Sequence, residues 1–238
     1  MRFILPLVET HLIRRYKRFL ADVEMPDGAV ETIHCPNPGA MMGLDMPGLP
    51  TFISDSANPR RKLRYTMEMV RLADGLVGIN TGHPNRLAEE ALVAGVVPEL
   101  LGYSNVRREV RYGGRNSRID LLLTEEGRPD CYVEVKNVHL RRPDGAFPTA
   151  AEFPDCVTAR GAKHLLELAD MVAAGHRAVM LYIVQRDDCD RFRVAADLDP
   201  IYAKGLTVAM AAGVEVLCYT CHLTERTIEV DRPLPVML

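Results

Sequence analysis

Apolar and polar residues alternate in short runs over the first eighty residues, and turn signals separate the runs. The segments PDG at 26–28 and DG at 74–75 are typical of tight turns between strands. The pattern predicts short strands and no helix in this region, with strands at 19–23, 30–34, 51–54, 63–72 and 76–79. Strands of this length and number favour a small β-barrel, for which the OB fold is one candidate.

The spacing of apolar residues changes at residue 81, where the segment TGHP precedes a helical pattern. Asn85 is expected to cap a helix that runs through Leu92 and stops at Gly95. The elements expected after it are three strands, a helix, a strand, a helix and a strand, at 106–112, 117–124, 131–138, 159–174, 178–184, 200–212 and 214–219. This order predicts an α/β (α+β) domain with a mixed sheet. The two expected domains are therefore 1–82 and 83–238.

Composition limits the class of protein without naming a function. The 238 residues carry a net charge of −3, with 47% apolar and 26% charged residues, which excludes coiled coil, collagen and disorder. The longest apolar runs, such as 178–184, are far short of the roughly 20 residues that a spanning helix needs. The apolar stretch 3–8 is broken by Pro6 and is short for a secretory core. We therefore expect a cytoplasmic protein without a membrane partner.

Asp120, Glu134 and Lys136 form the strongest candidate for chemistry. They lie on two successive predicted strands that are joined by a turn centred on Gly127. A hairpin folded at that turn sets residue 120 opposite residue 134, because both are seven positions from Gly127. Side chains alternate along strands, so the two carboxylates and the ammonium share one face. The opposite face would carry the apolar residues Ile119, Leu121, Leu123, Val133 and Val135.

Two adjacent carboxylates on a covered sheet repel each other unless a cation joins them. Mg²⁺, or Mn²⁺ in its place, binds such oxygen ligands together with water and substrate phosphate. The metal would acidify a water molecule, and Lys136 would orient that water or stabilise developing charge, as in a metal-dependent phosphodiesterase. The alternative is that Glu134 and Lys136 are ordinary solvated strand residues. Long apolar runs beside the hairpin favour a covered sheet and hence a site.

The long predicted helix supports the same interpretation. Its polar residues Arg160, Lys163, His164 and Glu167 fall on one face, opposite an apolar stripe formed by Ala162, Leu165, Leu166, Ala169 and Val172. Cations in a first helical turn are unfavourable unless an anion is near, and a phosphate could be that anion. An ordinary solvated face is the alternative reading of the same pattern.

Two further basic stretches stand out. The first is Arg60, Arg61 and Lys62, and the second comprises Arg107, Arg108, Arg111, Arg115 and Arg118. Many acids are gathered elsewhere, between residues 187 and 199. A mildly negative chain can therefore still present basic patches to DNA, with an affinity that depends strongly on salt.

Five segments give the chain a specific resemblance to a known family: RYKRFLAD at 15–22, HCPNPGAM at 34–41, SRID at 117–120, PDCYVEVKNV at 129–138 and FPDCVTARGAKHL at 153–165. Along essentially its whole length the chain resembles the sugar fermentation stimulation protein A family of prokaryotes. The resemblance implies an N-terminal OB-like β-barrel followed by a PD-(D/E)xK restriction-endonuclease-like domain. It also implies binding to DNA without sequence specificity and a role in regulating maltose metabolism.

The resemblance carries over to single residues. Asp120 matches the aspartate of the nuclease fold, Glu134 its second acidic residue and Lys136 its lysine. The first helix of that fold often supplies a further acid; geometry does not choose between Glu89 and Glu90, and the family pattern favours Glu90. Ile119, rather than a proline, precedes the aspartate, at a position that is loose in the superfamily.

The leading hypothesis is a DNA-binding protein with a Mg²⁺-dependent nuclease-type site. Asp120 and Glu134 would hold the metal, with Glu90 as a further ligand and Lys136 assisting the water. Contacts with nucleic acid are assigned to Arg160, Lys163, Arg118, Arg60, Arg61 and Lys62. One alternative is a non-catalytic DNA-binding regulator that keeps a nuclease scaffold. Another is a barrel module that binds a protein or small ligand through the loop 35–43.

Overall fold

The computed structural model describes residues 1–114 and 117–237. Its first part is a six-stranded sheet whose order along the sheet is β3-β2-β1-β4-β5-β6. The strands are β1 (Val8–Tyr16), β2 (Leu20–Glu24), β3 (Val30–His34), β4 (Pro50–Asp55), β5 (Tyr65–Leu72) and β6 (Gly75–Gly78). His34 of β3 also pairs with Thr66 of β5, which closes strands β1 to β5 into a barrel. The expectation of an N-terminal OB-like barrel is confirmed.

Strand β1 is absent from the predicted set. Only Thr10 and Leu12 among its nine residues are buried, and three of the other seven positions are charged: Glu9, Arg14 and Arg15. A strand with so little apolar alternation gives no strong period-two signal. The six-stranded sheet therefore contains one strand more than the five that the sequence pattern indicated.

The second part is a mixed sheet of order β14-β13-β11-β9-β8-β7, with helices on both faces. Its strands are β7 (Asn105–Tyr112), β8 (Ser117–Thr124), β9 (Cys131–Val138), β11 (Arg177–Val184), β13 (Glu215–Leu223) and β14 (Ile228–Pro233). The helices are α1 (Pro84–Val93), α2 (Ala159–Ala173) and α3 (Pro200–Ala211). A small parallel sheet adds β10 (Ala150–Phe153), β12 (Arg191–Val194) and β15 (Val236–Met237). The expected mixed α/β fold is confirmed, whereas β10, β12, β14 and β15 were not predicted.

The hairpin of β8 and β9 has the predicted register. Leu121 lies opposite Val133 and Leu123 opposite Cys131, and the same register continued would set residue 120 across from residue 134. Gly127 has a φ of +76°, a value that favours glycine and fixes the turn. The turn chemistry alone therefore determined which residues face each other.

The predicted apolar face of the β8–β9 hairpin is wrong at Ile119. Leu121, Val133 and Val135 pack in the core on the α1 side, as expected, but Ile119 packs in the core on the α2 side. The pairing of β7 with β8 skips residues 109 and 120, and Glu109 has a φ of +53°. This irregularity interrupts the regular alternation of the strand, so residues on the two sides of Asp120 face differently.

The two domains share a core. Phe52 and Met69 of the barrel belong to the same buried cluster as Leu87 and Ala88 of α1. The backbone N–H of Gly78 also donates to the carbonyl of Gln185, at 2.8 Å. No helix within the described ranges is long and apolar enough to cross a bilayer.

Candidate metal centre and nucleic-acid interface

Asn85 contacts Asp120 instead of capping α1. The helix begins at Pro84 with His83 at the capping position, and the Asn85 amide donates to Oδ1 of Asp120 at 2.8 Å. Oδ2 of Asp120 accepts the backbone N–H of Val135, also at 2.8 Å. The expected cap was wrong, because a short polar side chain at the start of a helix can equally reach a neighbouring strand. Helix α1 thus positions the aspartate.

Glu134 is the most deeply buried of the three predicted catalytic residues, with 2% of the residue exposed. Its Oε1 accepts a hydrogen bond from Nζ of Lys136 at 2.6 Å and also contacts Nδ1 of His164. Its Oε2 has no hydrogen-bond partner among the residues that the structure describes. One oxygen of this carboxylate is thus held firmly and the other is open.

The surroundings stabilise the negative charge of Glu134 but not that of Asp120. Burial, followed by the charge of Glu134, raises the pKa of Asp120. Burial alone would also raise the pKa of Glu134, but Lys136 and His164 outweigh it and the pKa is lowered. Glu134 is therefore the firmly ionised member of the pair, and Asp120 bears the repulsion.

His164 was named in the sequence only as one residue of a polar helix face. Its Nδ1 contacts Glu134, and its Nε2 lies 3.4 Å from Nε of Arg160, which donates to it. His164 thereby links the carboxylate to a helix residue on the surface. The available signal was its position four residues after Arg160, which places both on the face directed at β9.

The donor set fits a divalent cation. Asp120 and Glu134 come from adjacent strands, one buried oxygen lacks a partner, and a cation would relieve the repulsion between the two carboxylates. Across 1–114 and 117–237, no three or more His, Cys, Asp or Glu side chains gather in a way that could hold a metal alone. Such a site suits Mg²⁺, which takes one or two carboxylates and completes its shell with water and substrate phosphate.

Neither acid of α1 has a described contact with Asp120 or Glu134. Glu90 pairs with the Met1 amine at 2.6 Å and with Arg86 at 2.7 Å, and no described contact joins it to Asp120 or Glu134. Glu89 forms an ion pair with Arg108 of β7. Because Glu89 follows Asn85 by four residues, it lies on the helix face that contacts Asp120. A ligand role for Glu90 stays a prediction.

Arg118, Arg160 and Lys163, which were predicted to contact nucleic acid, line one open cleft of about 360 Å³. Arg111, Ser117 and His164 also line it, and Glu109 is the one acid among its described lining residues. His164 joins the cleft to Glu134, so the basic residues border the carboxylates. Arg115 lies outside the described residues. We call this surface the basic cleft.

The predicted apolar stripe of α2 is wrong in part. Leu165 is buried as expected, but Leu166 is 51% exposed and Leu168 takes a core position. Glu167 is fully buried, and neither of its oxygens has a hydrogen-bond partner in the described part of the chain. The helix turns its polar residues His164 and Glu167 toward the sheet, so hydrophobicity alone misplaces its inner face.

The remaining predicted residues lie on the barrel. Arg60, Arg61 and Lys62 are exposed between β4 and β5. No contact among the described residues joins them to Asp120 or Glu134. In the loop 35–43, Oδ1 of Asn37 accepts the backbone N–H of Gly39 at 2.9 Å, and its amide donates to the carbonyl of Ile79. Asn37 forms and anchors a turn.

Known proteins match the chain along its whole length. A family model described as "Sugar fermentation stimulation protein RE domain" matches residues 82–227, and "SfsA N-terminal OB domain" matches residues 13–79. A sugar fermentation stimulation protein homolog of Rhodospirillum centenum is 61% identical over 234 residues, covering 98% of each chain. The homolog of Paramagnetospirillum magneticum is 56% identical over 238 residues, covering 100% of this chain and 98% of its own.

A solved structure has the same fold. It is described as "The structure of Pyrococcus Furiosus SfsA in complex with Ca2+" and aligns with a TM-score of 0.88 at 27% identity. The alignment covers 100% of this chain and 98% of the other. With both domain models matched and full-length relatives above half identity, the chain belongs to the sugar fermentation stimulation protein family.

Proposed function

We propose that the protein is a metal-dependent phosphodiesterase that acts on DNA with little sequence preference. The observation that carries this proposal is the open Oε2 of the buried Glu134, beside Asp120 and next to the basic cleft. An unpaired buried carboxylate oxygen is costly and calls for a partner. The Ca²⁺ complex of the similar Pyrococcus furiosus protein supports a divalent cation as that partner.

Each residue has a role in this proposal. Asp120 and Glu134 would hold Mg²⁺ or Mn²⁺, with Glu90 as a proposed further ligand. The bound cation would acidify a water molecule and neutralise charge on the scissile phosphate. Lys136, whose ammonium is 2.6 Å from Glu134, is placed to orient that water or stabilise developing charge.

The basic side chains would hold the nucleic acid. Arg118, Arg160 and Lys163 line the basic cleft and would contact phosphates, and Arg60, Arg61 and Lys62 form a second proposed patch on the barrel. Phosphate contacts position a nucleic acid but carry no sequence information. Binding that rests on them is therefore sequence-independent and weakens with salt.

Cleavage of labelled DNA and RNA, with and without Mg²⁺ or Mn²⁺, tests the proposal. We expect metal-dependent cleavage by the wild type and its loss in Asp120→Asn, Glu134→Gln and Lys136→Ala. The exposed Asp231→Asn is the matched control and should cleave like the wild type. Equal cleavage by the wild type and Asp120→Asn would overturn the assignment.

A non-catalytic DNA-binding regulator is the second candidate. One observation favours it: three of the four carboxylate oxygens of Asp120 and Glu134 already contact protein groups. This function predicts DNA binding without metal, unaltered in Glu134→Gln, and no cleavage under any metal condition. The two candidates thus differ in both binding and chemistry.

We further propose that the protein acts in the cytoplasm and influences sugar (maltose) metabolism. The names of its relatives support a link with sugar use. Transcript levels of maltose genes should change in a deletion strain. Complementation with Glu134→Gln then tells whether this effect needs the metal centre.

A further inference from the structure

The turn between β1 and β2 has an unusual backbone. Lys17 and Arg18 have φ values of +50° and +62°, in the left-handed region that non-glycine residues rarely occupy. The N–H of Phe19 donates to the carbonyl of Lys17 at 2.7 Å, and the N–H of Cys35 donates to that of Phe19 at 2.9 Å. Such strain persists only where the surroundings enforce it, and it clusters at functional sites.

This turn presents two cations and one aromatic ring. Lys17 and Arg18 are exposed, and neither side chain has a hydrogen-bond or ion-pair partner anywhere in the described chain. Phe19 is 48% exposed. The neighbouring arginines differ, since Arg14 pairs with Asp22 and Arg15 donates to backbone carbonyls. Only the tip of the turn is left without partners.

Arg18 also lines a cleft of about 340 Å³ between the two domains, which we call the interdomain cleft. Its walls come from four of the five segments that carry the family resemblance: 15–22, 34–41, 129–138 and 153–165. These segments are distant in sequence, and the metal centre accounts for only part of the last two. Their meeting at one cleft points to a binding surface.

The interdomain cleft and the proposed catalytic site draw on neighbouring residues of β9 and of the start of α2. Asn137, which lines it, follows Lys136 on β9. Thr158, on the opposite wall, caps α2 by accepting the N–H of Gly161 at 3.1 Å, and Arg160 in the same turn lines the basic cleft. The two clefts therefore lie on either side of the first turn of α2.

Protein groups contact the acid in the interdomain cleft. Oδ2 of Asp155 lies 3.3 Å from Nε2 of His139 and accepts the backbone N–H of Met41 at 3.3 Å. This carboxylate oxygen is therefore already in use within the protein. Arg18 lines the same cleft as an exposed cation, and Lys17 is its neighbour in the turn.

We propose that the turn of Lys17, Arg18 and Phe19, with the interdomain cleft, is a subsite for single-stranded nucleic acid. Lys17 and Arg18 contact phosphates, and Phe19 stacks on a base. The stacking partner must be unpaired, because bases within a duplex stack on each other and offer no free face to a ring. This inference rests on the proposed nuclease function and names its substrate class. The substrate is a nucleic acid that is single-stranded on the barrel side of the metal centre.

Fluorescence anisotropy tests the subsite by equilibrium binding in EDTA, where metal-dependent cleavage does not occur. The probes are a labelled oligothymidylate of about 16 nucleotides and a duplex of the same length. The variant Lys17→Asn/Arg18→Asn removes both charges, and asparagine tolerates the left-handed region, so the turn is kept. We expect roughly tenfold weaker binding of the single strand and a slope of log affinity against log salt that is smaller by about 1.4.

Phe19→Ala separates stacking from charge. It should weaken single-strand binding roughly tenfold while leaving the salt slope unchanged. Lys204→Asn, at an exposed position of α3, is the matched control and should alter neither quantity. Duplex binding should change less than single-strand binding in both turn variants.

Cys156 allows the strand to be placed. It lines the interdomain cleft and is exposed, whereas the other five cysteines are buried. An oligothymidylate with a disulfide-activated tether should form a mixed disulfide with the wild type, but not with Cys156→Ser. The yield should fall in Lys17→Asn/Arg18→Asn.

Unchanged single-strand affinity and salt slope in Lys17→Asn/Arg18→Asn would overturn the inference. An equal or larger loss for the duplex would also overturn it, because the surface would then not select single strands. The proposed function fails separately, through metal-dependent cleavage that Asp120→Asn leaves intact. Binding in EDTA and cleavage in metal are thus independent readouts.

Discussion

Glu134 and Glu152 are both buried to 2% in the nuclease-like domain, yet their surroundings differ. Both oxygens of Glu152 are paired: Oε1 accepts from Arg142 and Arg193 at 2.9 Å each, and Oε2 contacts Arg142. Glu134 has one lysine, one histidine and an open oxygen. Two acids with equal burial are thus satisfied to different degrees.

The difference distinguishes a buried acid that stabilises the fold, Glu152, from a buried acid that can bind a ligand, Glu134. A carboxylate surrounded by guanidinium groups has no capacity for another ligand, and its removal leaves buried positive charge. A carboxylate with an open oxygen is less stable as it stands but can accept a cation or a proton. Burial alone therefore does not mark a site; an open oxygen on a buried carboxylate that lies beside a second carboxylate and a basic cleft does.

Glu134→Gln should give the largest effect. Metal-dependent cleavage should fall by about 10³-fold, while the free energy of unfolding changes by less than about 1 kcal/mol, because the amide oxygen still accepts from Lys136. Cleavage assays and denaturant titrations measure the two quantities. Normal cleavage together with a large loss of stability would place Glu134 in the same class as Glu152.

Glu152→Gln should behave in the opposite way. It removes the negative charge that Arg142 and Arg193 share, so the free energy of unfolding should fall by about 3 kcal/mol. Cleavage per folded molecule should stay at the wild-type level. A loss of cleavage in fully folded protein would remove the contrast between the two acids.

Substitutions of His164 test how the held oxygen of Glu134 is fixed. His164→Ala should weaken Mn²⁺ binding, measured calorimetrically without nucleic acid, by about 10- to 100-fold. His164→Asn can place an amide nitrogen near the position of Nδ1 and should recover part of this loss. His164→Gln reaches toward the position of Nε2 instead and should recover less. Equal Mn²⁺ affinity in all three variants would exclude this positioning role.

Asp155 provides a smaller, pH-dependent test. Burial alone would raise its pKa, but His139 and the Met41 N–H lower it to about 2. Because the folded-state pKa is depressed, the stabilisation is present above the unfolded value near 3.8 and is lost as the pH falls toward 2. Asp155→Asn should cost about 2 kcal/mol at neutral pH, and the difference from the wild type should vanish over that acidic range.

Thermal unfolding from pH 2 to pH 7 measures this dependence, with the exposed Asp231→Asn as control. Asp155 resembles Glu152 in that protein groups contact its carboxylate, so its substitution should lower the stability of the protein more than its affinity for nucleic acid. A stability difference that is independent of pH would show that packing, not charge, accounts for it.

The sequence revealed the hairpin and its cluster because local chemistry determines both. Gly127 fixes the turn, and the turn fixes which residues of β8 and β9 face each other. The basic residues of the basic cleft were also recognisable, since Arg160 and Lys163 share a helix face. These features depend on neighbours within a few residues or within one hairpin.

What the sequence did not reveal depends on tertiary contacts. Asn85 suits a helix cap and a strand contact equally, and only the position of Asp120 decides between them. The rotation of α1 sets which of Glu89 and Glu90 faces the sheet. His164 and Glu167 are buried polar residues, which hydrophobic periodicity assigns to the surface.

The two domains share a core that contains Phe52, Met69, Leu87 and Ala88, so we expect them to evolve together. Losing the gene segment for the barrel would expose apolar side chains of α1 to water, and a transplanted barrel would have to reproduce this packing. Recombination within the family therefore meets a barrier at this junction, despite the clean boundary in sequence. The barrel and the nuclease-like domain should pass from ancestor to descendant as one unit.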